Sequence, residues 1–263
     1  MNEWNPFMSP IVKAAYFSLM AICISGAAVF SPGFLFACPL SSEPVDTMTA
    51  TLYGVDSRQK ELLYRWKLHF VDKGGEHSKS CFTDSSGAAA AEDELLLSNG
   101  RFVSYGYVRH TNGERAEVRA EGDKIIYRQE LGKQKRLAEE SYTTNFVAGP
   151  SVVPFIRQNW DLLVRGEIIK IRYGVPDLLR SYEFRLSRFR EKEKKDGTNV
   201  IIKMAASSFF VGFFIDPIFF EFSADQKALR RIVGRTLPVE KQGRKFTPVD
   251  ADMRFEATNN SQM

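Results

Sequence analysis

The chain has 263 residues, 44% of them hydrophobic and 13% aromatic, with 21 Phe against three Trp, so it can bury a core of ordinary domain size and is not a disordered polymer. Its net charge of +4 is mild and is unchanged without residues 1–38, which hold one Glu (Glu3) and one Lys (Lys13). A nucleic-acid binder would concentrate a stronger basic surface beside aromatic platforms, which excludes nucleic acid as the expected partner but leaves anionic headgroups open.

Residues 14–30 carry no charge and follow Lys13, the pattern of a positive n-region and an apolar h-region that directs export. Ser31, Pro32 and Gly33 break it, and Leu35-Phe36-Ala37-Cys38 follows as an extended, small-residue processing site. Three outcomes stay open. Leu35, Ala37 and Cys38 resemble a bacterial lipobox with Cys38 as the lipidated residue, although Phe36 stands where a small residue is usual. Plain cleavage near Ala37 is the second outcome, and an uncleaved anchor over 14–36 the third. A start at Met8 in place of Met1 would remove Glu3 and sharpen the basic n-region. The expected location is therefore the bacterial envelope, periplasmic or held at a membrane by an N-terminal lipid or anchor.

Cys23 lies inside this leader, leaving Cys38 and Cys81. If Cys38 is lipidated, Cys81 is a single thiol in an oxidising compartment; otherwise the two can form one disulfide. The plainest reading of Cys81 is a small buried hydrophobe.

After a leader over 1–38 and a polar tether over 39–47, a single β-rich domain is predicted over 48–257, with a polar tail over 258–263. Thr49–Val55 reads as a strand. The clearest strand follows, with Tyr64, Trp66, Leu68 and Phe70 alternating with Arg65, Lys67 and His69. Residues 83–100 read as irregular. Strands at Phe102–Arg109, Arg115–Ala120 and Lys124–Leu131 form a meander, turning at Asn112-Gly113, a two-residue hairpin signal, and at Gly122-Asp123. The period then changes: Val152, Val153, Ile156, Trp160, Leu163 and Val164 recur at helical spacing. That predicts one amphipathic helix over about 151–165, stopped by Gly166, with its apolar stripe on the sheet.

Further strands are expected at Glu167–Tyr173, Tyr182–Phe189, Val200–Met204, Ala228–Val233 and Val249–Phe255, with a charged hairpin tip over Arg190–Gly197. A short second helix is expected over about 207–214, ended by Asp216-Pro217. The predicted fold class is mainly β (α+β): a strongly curved antiparallel sheet or incomplete barrel of about ten strands with two helices.

At Phe146-x-x-Gly149-Pro150, Asn159-Trp160-Asp161-x-Leu163-x-x-Gly166, Asp216-Pro217, Gly234-Arg235 and Asp250-Ala251-Asp252, the chain resembles a family of uncharacterised secreted bacterial proteins. The likeness spans about residues 62–255, and its Asn-Trp-Asp segment is the most specific part. It implies an envelope location and a single domain, and it supplies no reaction and no catalytic residue. A looser likeness in architecture is to curved-sheet carriers of lipids and lipoproteins in the periplasm.

No spacing in the chain demands a particular chemistry. His69, His77 and His110 have no second ligand at metal spacing and read as surface residues, so neither a metal nor another cofactor is expected. A Gly-x-Ser-x-Gly elbow, a Walker loop and a dinucleotide fingerprint are all missing. Glu92-Asp93-Glu94 and Asp250-x-Asp252 are the acidic groupings: Asp250 and Asp252, two apart on a strand, share one face and could bind a cation or act as acid and base, but charge of this kind reads first as solvated. Trp160 and Asp161 could edge a ligand pocket, though Trp160 on the apolar stripe reads first as a core anchor. Phe209, Phe210, Phe213 and Phe214, with Phe219 and Phe220 beyond, could plug the open sheet, line a cavity or touch lipid. The reading is a non-enzymatic envelope module for an apolar or lipid-like ligand, with Trp160, Asp161 and the four phenylalanines as candidate contacts. The alternatives are a hydrolase of unfamiliar type using Asp250, Asp252 or Asp161, and a structural or interaction module of an envelope complex.

Overall fold

The computed structural model describes residues 46–190, 199–208, 216–223, 225 and 228–256. The chain divides into two units, Met1–Gly33 and Phe34–Met263, and the described residues all lie in the second. They build fifteen strands of one sheet. In chain order these are β1 (Asp46–Gly54), β2 (Leu62–Phe70), β3 (His77–Asp84), β4 (Ala89–Ser98), β5 (Arg101–Arg109), β6 (Glu114–Glu121), β7 (Lys124–Leu131) and β8 (Gln134–Ser141). There follow β9 (Phe146–Ala148), β10 (Ile169–Val175), β11 (Arg180–Phe189), β12 (Asn199–Ala206), β13 (Ile218–Ser223), β14 (Leu229–Gln242) and β15 (Lys245–Phe255).

The spatial order is that of two meanders meeting in the middle. β1 to β8 step outward one way and β15 back to β9 step outward the other, so the first and last strands pair at the centre, from Ala50↔Phe255 to Gly54↔Ala251. Among the described pairs only β9 with β10 is parallel. A parallel return needs a long crossover, and that crossover carries the helical segment: a 3-10 turn at Gly149–Ser151, then α1 (Val152–Gln158) and α2 (Trp160–Arg165). None of the described helices is long and apolar enough to cross a membrane.

One helix was expected over 151–165, and two are found because Asn159 interrupts the run. Its side-chain amide donates to the Phe155 carbonyl at 2.9 Å and its backbone leaves the helical region (φ −103°, ψ 19°), a local bond that competes with the helical ladder. The stripe survives the break. Val152, Ile156, Trp160 and Leu163 are buried against Ile171, Phe184, Leu186, Val200, Ile202, Met204, Phe220 and Phe222 of β10 to β13. Gly166 closes α2 as expected.

The sheet is open and rolls past itself. β8 and β9 are its two ends, yet Phe146 and Ala148 of β9 pack among Leu95, Tyr105, Val118 and Tyr127 of β4 to β7. The Phe102 and Phe146 rings meet at 5.0 Å. Contact is close at Gly149, where an added Cβ would lie 2.4 Å from the Tyr105 ring and where φ is +53°; a side chain there would force the ring or the backbone to shift. The curved, incomplete barrel is therefore present, with fifteen strands where about ten were expected.

The five additional strands explain the shortfall. β4 occupies part of 83–100, which read as irregular because its acidic residues hide the alternation. β3 faces a polar interior, β8 is an exposed edge without an apolar face, β13 is aromatic on both faces, and β9 has three residues. Asn112-Gly113 also differs from expectation. Arg109 pairs with Glu114, so the loop has four residues, and Asn112 Oδ1 accepts the Glu114 N–H at 3.0 Å. Two-residue turns occur elsewhere, among them Asn99-Gly100, where Ser98 pairs with Arg101 and both turn residues have positive φ. The expected helix over 207–214 and hairpin tip over 190–197 fall almost wholly outside the described residues.

Candidate functional site

The concave face has three zones. The first is the helix-covered cluster on β10 to β13, with Ile156, Trp160, Leu163, Ile171, Phe184 and Phe222 among its buried members. The second, on β1, β2, β3, β14 and β15, is centred on Leu52, Trp66, Phe82, Ala251 and Met253. No helical residue belongs to it, and Met48, Leu63, Phe70, Ile232, Leu237 and Phe255 at its margin are only partly buried. Trp66 is its hub, edge-on to Phe255 at 5.5 Å and tilted against Phe82 at 6.3 Å.

The third zone, on β3 to β8, is a buried polar seam. Strand alternation points Ser80, Asp93, Tyr105, Tyr107, Glu114 and Gln129 inward. Trp66 Nε1 donates to Ser80 Oγ at 2.8 Å, and Ser80 Oγ donates in turn to Asp93 Oδ1. The Tyr105 hydroxyl lies 3.4 Å from Asp93 Oδ2. Burial pushes the Asp93 carboxyl up to about 6, the hydrogen bonds from Ser80 and Tyr105 offsetting only part of that.

A few residues along the seam, Arg109 supplies the cation that Asp93 lacks. Its Nη1 donates to Glu114 at 2.8 Å and to Asp177 at 3.2 Å, its Nε donates to the Leu237 carbonyl at 2.9 Å, and its guanidinium lies over the Tyr107 ring at 4.7 Å. Burial alone would lower the guanidinium's pKa, but Tyr107, Asp177 and Glu114 outweigh it and hold the charge in place. Burial likewise opposes ionisation of Glu114, and Arg109 with Gln129 overcomes it, leaving that carboxyl below its usual range. Gln129 donates to Glu114 at 2.6 Å and Arg136 donates to Gln129 at 2.9 Å. One arginine thus ties β5, β6, β14 and the turn after β10 into one node.

Glu140 of β8 holds the end of the seam. It accepts from the Tyr127 hydroxyl at 2.7 Å and from the Ser181 N–H at 3.3 Å, and lies 3.7 Å from Arg172. The first and last portions of the rolled sheet are joined here by side chains instead of a backbone ladder.

The sequence-derived candidates fall in different places. Trp160 is buried edge-on to Phe222 at 5.4 Å, while Asp161, one residue on, is exposed, so the two share no pocket wall. Asp250 and Asp252 do share a face of β15, the face opposite Val249, Ala251 and Met253. Each is held by arginine: Asp250 by Arg235 at 2.7 Å, and the buried Asp252 by Arg231 at 2.6 Å and Arg254 at 3.1 Å. This corrects the solvated reading of Asp252. Glu92-Asp93-Glu94 is likewise no solvated run: Asp93 points inward, Glu94 meets His77 at 2.6 Å, and buried Glu92 meets His110.

His69 is 4% exposed, which overturns the surface reading for that histidine. No metal-holding group of three or more His, Cys, Asp or Glu occurs among the described residues. Cys81 is buried and disulfide-bonded, which corrects its reading as a plain hydrophobe. Phe209, Phe210, Phe213, Phe214 and Cys38 lie outside the described residues.

No protein-family model matches the chain, and neither does any curated protein. Among solved structures it is similar to one described as the "Crystal Structure of Beta-barrel-like Protein of Domain of Unknown Function DUF1849 from Brucella abortus". Identity is 10% and the TM-score 0.38, over 80% of this chain and 93% of that one. A likeness of that degree decides neither fold nor function.

Proposed function

We propose that this chain is an exported bacterial envelope protein that binds an apolar or lipid-like ligand on the concave face of β1, β2, β3, β14 and β15 and catalyses no reaction. The observation that carries the reading is the middle zone around Trp66. No described helix contributes to this zone as α1 and α2 do to the β10–β13 cluster, and Met48, Leu63, Phe70, Ile232, Leu237 and Phe255 keep part of their apolar surface open. Partly open large apolar side chains beside a few fixed polar groups suit a ligand with an apolar body. Export rests on the uncharged segment 14–30 after Lys13. The hydrolase alternative loses ground because Asp250 and Asp252 are committed to arginines and Asp161 stands apart in the first turn of α2.

Native mass spectrometry of the chain purified from a bacterial envelope tests this. The expected result is a bound phospholipid-sized mass, reduced several-fold in Leu237→Gln, since burying a leucine side chain is worth roughly 1.5–3 kcal/mol. The Leu237 carbonyl that Arg109 grips is untouched by that change. A chain that emerges empty, and stays empty after incubation with phospholipid, removes the ligand. The reading left is then a structural module, which the extent of the polar seam favours.

A further inference from the structure

The two ends of the sheet are finished differently. β9 has three residues, all buried, whereas β8 has eight, of which every one but Ala138 and Glu140 is exposed. β8 pairs with β7 without a bulge and contains no proline, so it lacks two devices that keep an edge from accepting another strand. Its backbone phase is set by the Tyr142 N–H, which donates to the Asp123 carbonyl at 2.8 Å, one step beyond the Lys124↔Ser141 pair. Residues of an antiparallel ladder alternate between bonding one neighbour and facing the other side. The even-numbered residues of β8 therefore bond β7, and the N–H and C=O groups of Lys135, Leu137 and Glu139 point away from it.

The side chains of those three residues also share a face. Arg136 and Glu140 reach Gln129 and Tyr127 on the inside, so Lys135, Leu137 and Glu139 lie on the outside. The Lys135 and Glu139 side chains are 64% and 59% exposed, and Leu137 is 55% exposed.

We propose that β8 is a self-association edge, at which two copies of this chain pair antiparallel about a two-fold axis through Leu137 and join their sheets into one. In that register Lys135 of each copy lies opposite Glu139 of the other, and Leu137 lies opposite Leu137. Lys135 is the kind of charge that ordinarily blunts an edge, but with Glu139 four residues on, the strand complements itself. Registers shifted by two would set Leu137 against Glu139 or against Lys135. In-chain pairing extends the pattern, because Lys135 meets Glu130 at 2.7 Å and Glu139 meets Lys124 at 2.9 Å. The outer face then carries a row of alternating sign, from Glu130 and Lys135 of one copy to Glu139 and Lys124 of the other. An eight-residue strand is only roughly 27 Å long and buries less than the about 800 Å² per partner of a standard interface, so the pair is weak and forms with rising concentration. The inference needs neither the ligand nor export.

The test is analytical ultracentrifugation of the full chain from low to high micromolar concentration, with amide hydrogen exchange at both ends of the range. The expected result is a reversible monomer–dimer equilibrium in which the amides of Lys135, Leu137 and Glu139 gain protection with concentration, while those of Arg136 and Ala138, already bonded to β7, do not. Leu137→Pro removes an N–H that no bond to β7 uses and should weaken the dimer about tenfold or more. Lys135→Glu and Glu139→Lys each set like charges opposite one another and should weaken it about tenfold. An equimolar mixture of those two variants should recover it, because every glutamate then faces a lysine. Should the proline variant fail to fold, the mixture decides alone. A chain that stays monomeric throughout overturns the proposal and leaves the edge to an extended segment of another protein. A dimer indifferent to Leu137→Pro, or a mixture that associates no better than its components, overturns it as well.

Discussion

The two flanks of the rolled sheet are held by different physics. On β10 to β13 with α1 and α2, Trp160, Ile156 and Leu163 sink into an apolar cluster, and the stabilisation scales with area and ignores pH. On β3 to β8 a second apolar cluster, with Leu95, Val118, Ile125 and Tyr127, is cross-linked by the polar side chains of Ser80, Asp93, Arg109, Glu114, Gln129 and Glu140. Such a network specifies geometry through direction, and it fails sharply when one member is removed. The apolar flank should therefore lose stability in proportion to volume at every pH, and the polar flank according to which charge is left alone.

The largest effects compare Trp160→Ala with Arg109→Met. The tryptophan change leaves a cavity and should cost about 3–5 kcal/mol, nearly the same at pH 4 and pH 8. The arginine change leaves Glu114 charged in a buried site and should also cost about 3–5 kcal/mol at pH 8. Glu114 is held below its usual range in the native chain, so the stability it contributes is complete above its unfolded value of 4.5 and is lost as pH falls through the lower folded value. The Arg109→Met deficit should therefore shrink toward pH 4, and adding Glu114→Gln should recover part of it at pH 8. Urea denaturation at the two pH values checks this. Parallel behaviour of the two variants would erase the distinction between the flanks.

This contrast also decides what the sequence could disclose. The helical stripe from Val152 to Val164 and the alternation in Tyr64–Phe70 were legible because apolar residues repeat with the period of the element that buries them. β4 was not, because Ala-Ala-Ala-Glu-Asp-Glu-Leu-Leu-Leu-Ser obeys the period of two only once Asp93 is allowed to point inward. The same holds for Ser80 on β3 and Gln129 on β7, polar residues at interior positions that a hydrophobic pattern scores as wet. β8 has no buried face, since Glu140 acts through hydrogen bonds. The candidate carboxylates at 250 and 252 were correctly placed on one face, but their arginine partners come from β14 and from Arg254, which spacing alone does not reveal.

A smaller effect isolates the acid without a cation. The Asp93 carboxyl is raised from 3.8 to about 6 in the folded chain. The folded state thus holds this proton more tightly than the unfolded one. The resulting stability is fully present below 3.8 and is lost as pH rises through about 6. Asp93→Asn keeps an oxygen for Ser80 and never ionises, so it should gain up to about 3 kcal/mol over the native chain at pH 8, and nothing at pH 4, from the size of that shift. Thermal melts across pH 4–8 should show the native curve falling away from a flat variant curve. Two curves falling together would place the pH sensitivity elsewhere.

The smallest effect concerns the seam's end, where Glu140 joins β7 and β8 to β10 and β11. Tyr127→Phe removes the hydroxyl that donates to Glu140 at 2.7 Å while leaving the ring buried, and should cost about 1.5–3 kcal/mol as a bond to a charged acceptor. Glu140→Gln keeps an oxygen for only one of the two donors and also loses the charge facing Arg172, so it should cost a comparable amount. The direction of the damage is more informative than its size. In hydrogen exchange, β8 and the Ser181 amide should open first, because that amide donates to Glu140 and β8 has one free edge. Amides of β12, and of β11 from Phe184 onward, should keep their protection, since Glu140 meets the apolar flank at Ser181 and Arg172 and not at the members of the helical cluster. Exchange rising equally in both regions would mean that the seam and the helical cluster unfold as one unit, and the division of the sheet into an apolar and a polar flank would have no dynamic counterpart.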